Sequence, residues 1–389
     1  MAANNQTQRY AHIIGWGKYA PPNTLTNDEL AKRVDTSDAW IRERTGIVER
    51  RIATKETTAT LALYAAQDAL EVADIDPKEI DLVIVATSTP EYVFPATASI
   101  VQDQLGAENA GAFDLSAACS GFVYALSVGA GMIRSGQHNT VLVIGAETFS
   151  RIVNWKDRAT CVLFGDGAGA LLLRGSPHYG GVLSTVLGSD GSGSELLIVP
   201  AGGSKNPASL ETVMNNMHTV KMNGREVYRF ATRVMVDATK QALQKANVPL
   251  EELDMLIPHQ ANARIIDYAA KSLHLPPEKV FQNVEHYGNT SAASIPIALV
   301  EAIEAKRVHP GDHLVMVGFG GGLSWGSCAV QWTIPTVTRP MTPQRAAQSR
   351  LRYRWSNFKS FGHRVLRRVD SGVSKVLDRL EGENNGNGA

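Results

Sequence analysis

The feature that most restricts what this chain can fold into is its likeness to itself. Shifting the sequence by 173 positions lays Asp81 on Asp254, Gly145 on Gly318 and the run 141–145 on 314–318. The same shift sets CSGFVYAL (119–126) over AASIPIAL (292–299). A duplicated unit of this kind must bury its apolar faces against its own copy or a neighbouring layer. The first copy carries extra residues, FSRIVNWKDRATCVL, between paired elements, where a functional insertion is tolerated.

Within each copy, short β-rich runs alternate with helical stretches: IDLVIVAT (80–87), TVLVIGAE (140–147), AGALLLRG (168–175), LDMLIPHQ (253–260), DHLVMVGFG (312–320) and GSCAVQW (326–332). The alternation predicts an α/β fold with βαβ units and largely parallel sheets. At 389 residues the chain exceeds one ordinary domain. The repeat divides it into halves at 1–175 and 176–335, followed by a third segment, 336–389. A pseudo-twofold between the halves makes strand ends and helix starts converge, and ligands of open α/β sheets bind in that crevice.

Distinctive polar residues fall at these spots. Cys119 opens the helix of the first copy, PHQAN (258–262) follows the first strand of the second, and HYGNTSAAS (286–294) precedes the matching helix. GFGGGLSWG (318–326) follows the last long strand. A thiolate is the nucleophile of thiol chemistry, and a helix N-terminus lowers a thiol's pKa. His259 and Asn289 offer an imidazole and a carboxamide, both able to donate to a developing oxyanion. The Cys119 N–H and the glycine turn offer a second such site, because only glycine lets the backbone approach so closely. Each feature taken singly has a structural reading: a buried cysteine, a satisfied histidine, an N-cap, a tight turn. FGDGAGALLL (164–173) lacks the strand-before, helix-after context of a dinucleotide loop, so it is not one.

These motifs together resemble the β-ketoacyl-acyl carrier protein synthase III family over about Tyr10 to Thr333. The resemblance implies a thiolase fold, five αβαβα layers built from two similar halves, and the first condensation of type II fatty acid synthesis. Cys119 would take an acyl group from acyl-CoA. His259 and Asn289 would stabilise the enolate formed as malonyl-acyl carrier protein loses carbon dioxide, and the N–H groups of Cys119 and Gly321 would hold the thioester oxygen. Acyl-CoA is then a substrate, and no cofactor or metal is implied. For CoA the resemblance points to Trp40 and Arg158 sandwiching the adenine, Arg44 on the phosphates, Thr45 near the base and Asn262 lining the pantetheine tunnel. Arg recognises phosphate and an indole supplies a stacking face, which agrees. Phe94 would cap the partner's acyl pocket across a homodimer interface, and Phe149 would tighten that pocket. Arg229, Arg264 and Lys271 match positions near the tunnel mouth where an acidic carrier protein docks. Arg225 joins them by spacing, since Arg225, Arg229 and Arg233 share one helical face.

Two other readings stay open. A specialised starter or polyketide-type synthase would share Cys119, His259 and Asn289, whereas a non-catalytic scaffold would use the segment beyond Thr333. A thiolase would need a second cysteine in the glycine turn, and Cys328 lies too far into the last strand. Three sparse cysteines without a CxxC argue against a disulfide framework or zinc site and fit a reducing cytoplasm. The first residues lack a signal-peptide pattern, and no apolar run reaches membrane-spanning length.

The balanced charge hides an asymmetry. From Thr336 onward there are 11 Lys and Arg against 4 Asp and Glu, which leaves 27 against 34 before it. After a linker-like stretch, apolar residues from Leu351 to Leu380 recur at helical steps amid arginines, a basic amphipathic pattern. It can pack on the acidic body or on another subunit, or 350–380 can make a reversible membrane-surface contact. Nucleic acid is not indicated, because the basic run matches no binding module.

Overall fold

The computed structural model describes residues 8–334. The basic segment and its proposed contact at 350–380 lie outside them. Nine strands form two sheets. The first holds β1 (Tyr10–Tyr19), β2 (Leu82–Ala86), β3 (Gly111–Leu115), β4 (Thr140–Thr148) and β5 (Asp166–Ser176), in the order β1-β5-β4-β2-β3. The second holds β6 (Gly181–Ser189), β7 (Leu253–Pro258), β8 (His313–Gly320) and β9 (Ser324–Gln331), in the order β7-β8-β9-β6. The expectation of largely parallel sheets is corrected. Only β3-β2, β2-β4 and β7-β8 run parallel, while β1, β5, β6 and β9 pair antiparallel. The cause is local: β8 returns to β9 through the short turn 321–323, and the insertion after β4, with its short helical turns at 149–152 and 158–161, brings β5 back beside β4 in the opposite direction.

The helices relevant to the site are α1 (Asp38–Thr45), α2 (Thr58–Ala73), α3 (Thr97–Leu105), α4 (Gly121–Arg134), α5 (Gly224–Ala246), α6 (Ala263–Ser272) and α7 (Ser294–Glu304). Helices α4 and α7 are apolar nearly all round, as a helix covered on both sides must be. Their Phe122, Val123, Ile295 and Leu299 pack with Ile84 and Val141 of one sheet and Met255 and Leu314 of the other. Outside the first sheet lie α2 and α3, and outside the second α5 and α6, each with its own core. The result is five layers, helix–sheet–helix–sheet–helix.

The duplication holds at atomic detail. Parallel register pairs Leu82 with Val141 in one sheet and Met255 with Leu314 in the other, each 173 positions on. Asp81 Oδ2 accepts from Thr140 N at 2.9 Å, and Asp254 Oδ2 accepts from His313 N at 2.8 Å. Single 3-10 turns, 118–120 and 291–293, introduce α4 and α7. Both open on a left-handed residue, Ala118 (φ 47°) and Ser291 (φ 51°). The correspondence shifts only after β4, where the insertion begins.

Two glycines let these turns cross. Gly145 of β4 lies under the second turn so closely that a Cβ would sit 2.3 Å from the Ala292 carbonyl oxygen. Its counterpart Gly318 faces the Cys119 carbonyl oxygen at 3.5 Å and His259 Cβ at 3.6 Å, measured from the same added Cβ. Gly145→Ala forces backbone apart, so we expect a loss of stability of about 1–3 kcal/mol or more. A lowered urea midpoint at unchanged m-value would be the observed outcome.

Candidate active site

Three segments bring the site together. Cys119 sits in the 3-10 turn before α4, not on the α-helix itself, which begins at Gly121. His259 follows β7, held by its N–H to Val317 O (2.8 Å) and by the buried Gln260, whose amide bonds Pro258 O and Phe281 O. Asn289 lies in the loop before the 291–293 turn. Its backbone bonds Leu163 O and Gly165 N as an isolated bridge beside Phe164.

The stretch 289–294 links all three. Ser294 Oγ meets His259 Nδ1 at 2.5 Å. Asn289 Oδ1 accepts from Ser291 N at 2.8 Å, which orients the amide and leaves Nδ2 as its donor. The Ser291 hydroxyl favours the charged form of the Cys119 thiol. It also donates to Glu147 Oε1 at 2.9 Å. Opposite, a Cβ on Gly320 would fall 2.6 Å from Cys119 N, so the turn carrying Gly321 lies against the Cys119 backbone. Ser120 Oγ donates to Ala117 O at 2.8 Å and meets Ser324 Oγ at 2.9 Å, and Ser324 Oγ reaches Gly321 O at 2.9 Å. This serine pair clamps the two turns together.

The electrostatics differ from the sequence expectation in one respect. Burial pushes the Cys119 thiol up to about 12, with the Ser291 hydroxyl opposing and the Glu147 charge adding to the rise. A helix N-terminus supplies at most about 2 kcal/mol, or some one and a half pH units. Full desolvation is worth up to about 3–5 pH units, so burial wins. Burial likewise holds His259 down to about 3, a neutral imidazole. Its Nε2 is buried and without a hydrogen-bond partner. An unsatisfied buried donor costs about 1–3 kcal/mol, and a ligand that accepts from it recovers that cost.

The other expected residues fall in three places. Trp40 and Arg44 lie on α1, and Arg158 reaches them from the insertion. Both guanidinium carbons stand 5.0 Å from the Trp40 ring. Arg158 Nη1 also donates to Asp35 O at 2.9 Å. Thr45 is buried and its hydroxyl is committed, donating to Ile41 O and accepting from Ile47 N. It shapes the end of α1. Asn262 caps α6 and donates to Arg44 O at 3.0 Å, joining α6 to α1. Phe149 is buried and stacked on Phe164 at 4.3 Å, next to Asn289. Phe94 lies on the outer surface, 84% exposed, beside the exposed Tyr92 and Val93. Arg225, Arg229 and Arg233 share the exposed face of α5. Arg264 at the start of α6 lies over Tyr228 of α5, 5.7 Å from its ring, and Lys271 stands about two turns further along.

Glu147, Ser291 and Ser294 escaped the sequence reading. Their signal is positional: Glu147 ends β4 at the crevice, and both serines sit beside Asn289. Among the described residues no group of three or more His, Cys, Asp or Glu is placed to hold a metal, and no helix is long and apolar enough to cross a membrane.

The family model for 3-oxoacyl-[acyl-carrier-protein] synthase III matches residues 113–191, and that for its C-terminal part matches 243–332. A β-ketoacyl-[acyl-carrier-protein] synthase III of Natranaerobius thermophilus is 53% identical over 327 residues, 83% of this chain and 99% of that one. One from Clostridioides difficile is 51% identical over 325 residues, 83% of this chain and 99% of that one. The crystal structure of the Aquifex aeolicus synthase III superposes with a TM-score of 0.77 at 49% identity, covering 83% of this chain and all of that one. The priming β-ketosynthase of the R1128 polyketide pathway gives 0.79 at 36% identity, over 86% of this chain and all of that one.

A neutral His259 fixes a sign. Its pKa is depressed below the unfolded value of about 6.5, so the unfolded chain binds the extra proton as pH falls, and stability drops between about pH 6.5 and 3. We expect the His259 ring nitrogens to keep the NMR shifts of neutral imidazole down to pH 5. His259→Gln should lose less stability than the native chain between pH 6.5 and 4.

Proposed function

The chain belongs to the 3-oxoacyl-[acyl-carrier-protein] synthase III family, and from that premise we propose how its own residues carry the reaction. It is an acyl-transferring condensing enzyme that joins an acyl-CoA primer to malonyl-acyl carrier protein at the start of type II fatty acid synthesis. Identity above 50% to such synthases, against 36% to the polyketide priming enzyme, favours this over a specialised starter synthase.

The Cys119 sulfur bonds the acyl carbonyl carbon, the carbon–sulfur bond to CoA breaks, and CoA leaves as the thiol. The Cys119 and Gly321 N–H groups receive the oxyanion, in the position a preorganised donor pair needs. Malonyl-acyl carrier protein then enters and loses carbon dioxide. His259 Nε2 and Asn289 Nδ2 donate to the thioester oxygen of the resulting enolate. Its carbon attacks the acyl-cysteine, and Cys119 departs and regains a proton. The observation that supports these roles best is the buried Nε2 of a neutral His259, without a partner, on a ring tied through Ser294 to the segment that carries Asn289. A neutral donor suits an enolate, since it stabilises charge without giving up its proton.

Trp40 and Arg158 hold the adenine by opening the stack they now form, and Arg44 takes the phosphates. Asn262 lines the way in. Arg225, Arg229, Arg264 and Lys271 receive the acidic carrier protein. The exposed run Tyr92–Phe94 suits a homodimer contact through which Phe94 caps the partner's acyl space, while Phe149 narrows it to short primers. Three unpaired cysteines agree with a cytoplasmic enzyme.

The test is to follow each half-reaction separately. With labelled acetyl-CoA, Cys119→Ser should take no label, and Asn289→Ala should take it normally yet lose condensation by about 100-fold or more. Condensation by Asn289→Ala at the native rate would sink the assignment. For the segment 350–380 we propose contact with anionic membrane surfaces. Full-length protein should float with anionic liposomes and a chain ending at Thr333 should not; equal recovery would refute the contact.

A further inference from the structure

Arg50 is wholly buried in the short strand Glu49–Arg51, and no step above uses it. Among the described residues no carboxylate pairs with it. Its guanidinium instead bonds oxygens from three points of the chain. Nη1 donates to Leu25 O at 3.1 Å and to Asn27 Oδ1 at 2.9 Å, and Nη2 donates to Val162 O at 2.8 Å. Nε is buried and without a hydrogen-bond partner. Burial lowers the group to about 10, so it stays a cation at neutral pH. A buried cation without a carboxylate is costly. An apolar side chain would avoid that cost, but it could not tie these segments together.

Both ends of this tie lead to the site. Asn27 Nδ2 donates to Asp38 Oδ1 and to Ile47 O, each at 2.8 Å, and Asp38 opens α1, which carries Trp40 and Arg44. Val162 and Leu163 end the insertion of the first copy. Leu163 O accepts from Asn289 N at 2.8 Å, and Gly165 N donates to Asn289 O at 3.0 Å, so residues 163–165 hold the Asn289 backbone at its N–H and its carbonyl. The Arg50 stem lies against this bridge. A Cβ added to Gly165 or to Gly288 would fall 3.2 Å from Arg50 Cβ. We propose that Arg50 is a positioning residue for condensation: by holding Val162 O against the base of α1, it sets where Asn289 presents Nδ2 to the enolate.

The placement singles out one half of the reaction. Loading needs the Cys119 thiol and the Cys119 and Gly321 N–H groups, and Arg50 bonds none of their segments. The enolate oxygen needs His259 Nε2 and Asn289 Nδ2 together. His259 is held by Val317 O and Ser294, so of the two donors only Asn289 leans on the insertion. A displacement of about 1 Å can cost about 100-fold, because a preorganised donor pair works only at its own geometry. The three oxygens are shared between two nitrogens of one planar group, a spread that a compact lysine ammonium does not reproduce.

This rests on Asn289 stabilising the enolate, and the experiment separates the two. Cys119 loading is followed by intact mass at saturating acetyl-CoA, and condensation is measured apart, on enzyme already loaded, at saturating malonyl-acyl carrier protein. Arg50→Met should slow condensation by about tenfold or more and loading by less than about twofold. Arg50→Lys should show the same split, with condensation slowed about threefold or more. Adding Arg50→Met to Asn289→Ala should slow condensation no further, since the positioning residue then has nothing to position. Equal slowing of both half-reactions would overturn the proposal as the sign of a merely structural role, and so would a further loss of about tenfold in the double variant. Native condensation by Arg50→Met or by Arg50→Lys would overturn it too. If Arg50→Met fails to fold, Arg50→Lys and its double variant with Asn289→Ala decide by the same outcomes. Condensation by Asn289→Ala alone at the native rate would instead refute the reading of Asn289, and this proposal with it.

Discussion

Everything in this protein depends on how closely each half's helix-opening turn is seated on the opposite half's central strand. The 291–293 turn rests on Gly145 of β4, and the 118–120 turn on Gly318 and Gly320 of β8. Any side chain at Gly145 would collide with backbone, not with a movable side chain. Both turns therefore take left-handed openings, at Ala118 and Ser291, an unusual conformation for either residue. Strain of that kind persists where the surroundings over-determine it. Here two sheets and two helices do so, and the strained backbone is the backbone that presents Cys119 and orients Asn289.

The same close seating decides the electrostatics. It buries Cys119, His259 and Glu147, so desolvation outweighs the dipole that the turn geometry supplies. Each is pushed towards its neutral form. Among the described residues none of them is paired with a lysine or arginine; hydroxyls bond Glu147 and His259 Nδ1, while His259 Nε2 has no partner. A site of this sort stabilises charge only when the reaction creates it, since donors fixed in advance need no reorganisation.

The duplication, six of the nine strands and the three convergent residues were legible in the sequence, whereas β1, β3 and β6 were not named there. Periodicity and a single shift locate strand ends, and strand ends are where such sites form. Strand direction was not legible, because an apolar run reads the same whether its partner is parallel, as β2 is to β4, or antiparallel, as β5 is to β4. The Cys119 thiol was misjudged for a related reason: a helix start is visible in sequence, whereas the degree of burial at that start is not. Glu147 was invisible because its partners come from two distant segments, 87–89 and 291–292, and nothing local in GAET distinguishes a buried acid from an exposed strand end.

The asymmetry between the halves shows how one duplicated frame makes one site. Cys119 has Ala292 as its counterpart, and Ser291 has Ala118. Glu147 has Gly320. On one side of the pseudo-twofold a long side chain leaves the strand end and reaches the opposing turn at Ser291 and Ala292. On the other the strand end has no side chain, and its backbone comes directly against Ala118 and Cys119 N. The two equivalent contacts have thus diverged into a carboxylate held by hydroxyl and backbone donors and a bare backbone approach. One shift of 173 therefore preserves the frame of strand ends and turns, while the side chains at those ends make its two sides chemically different.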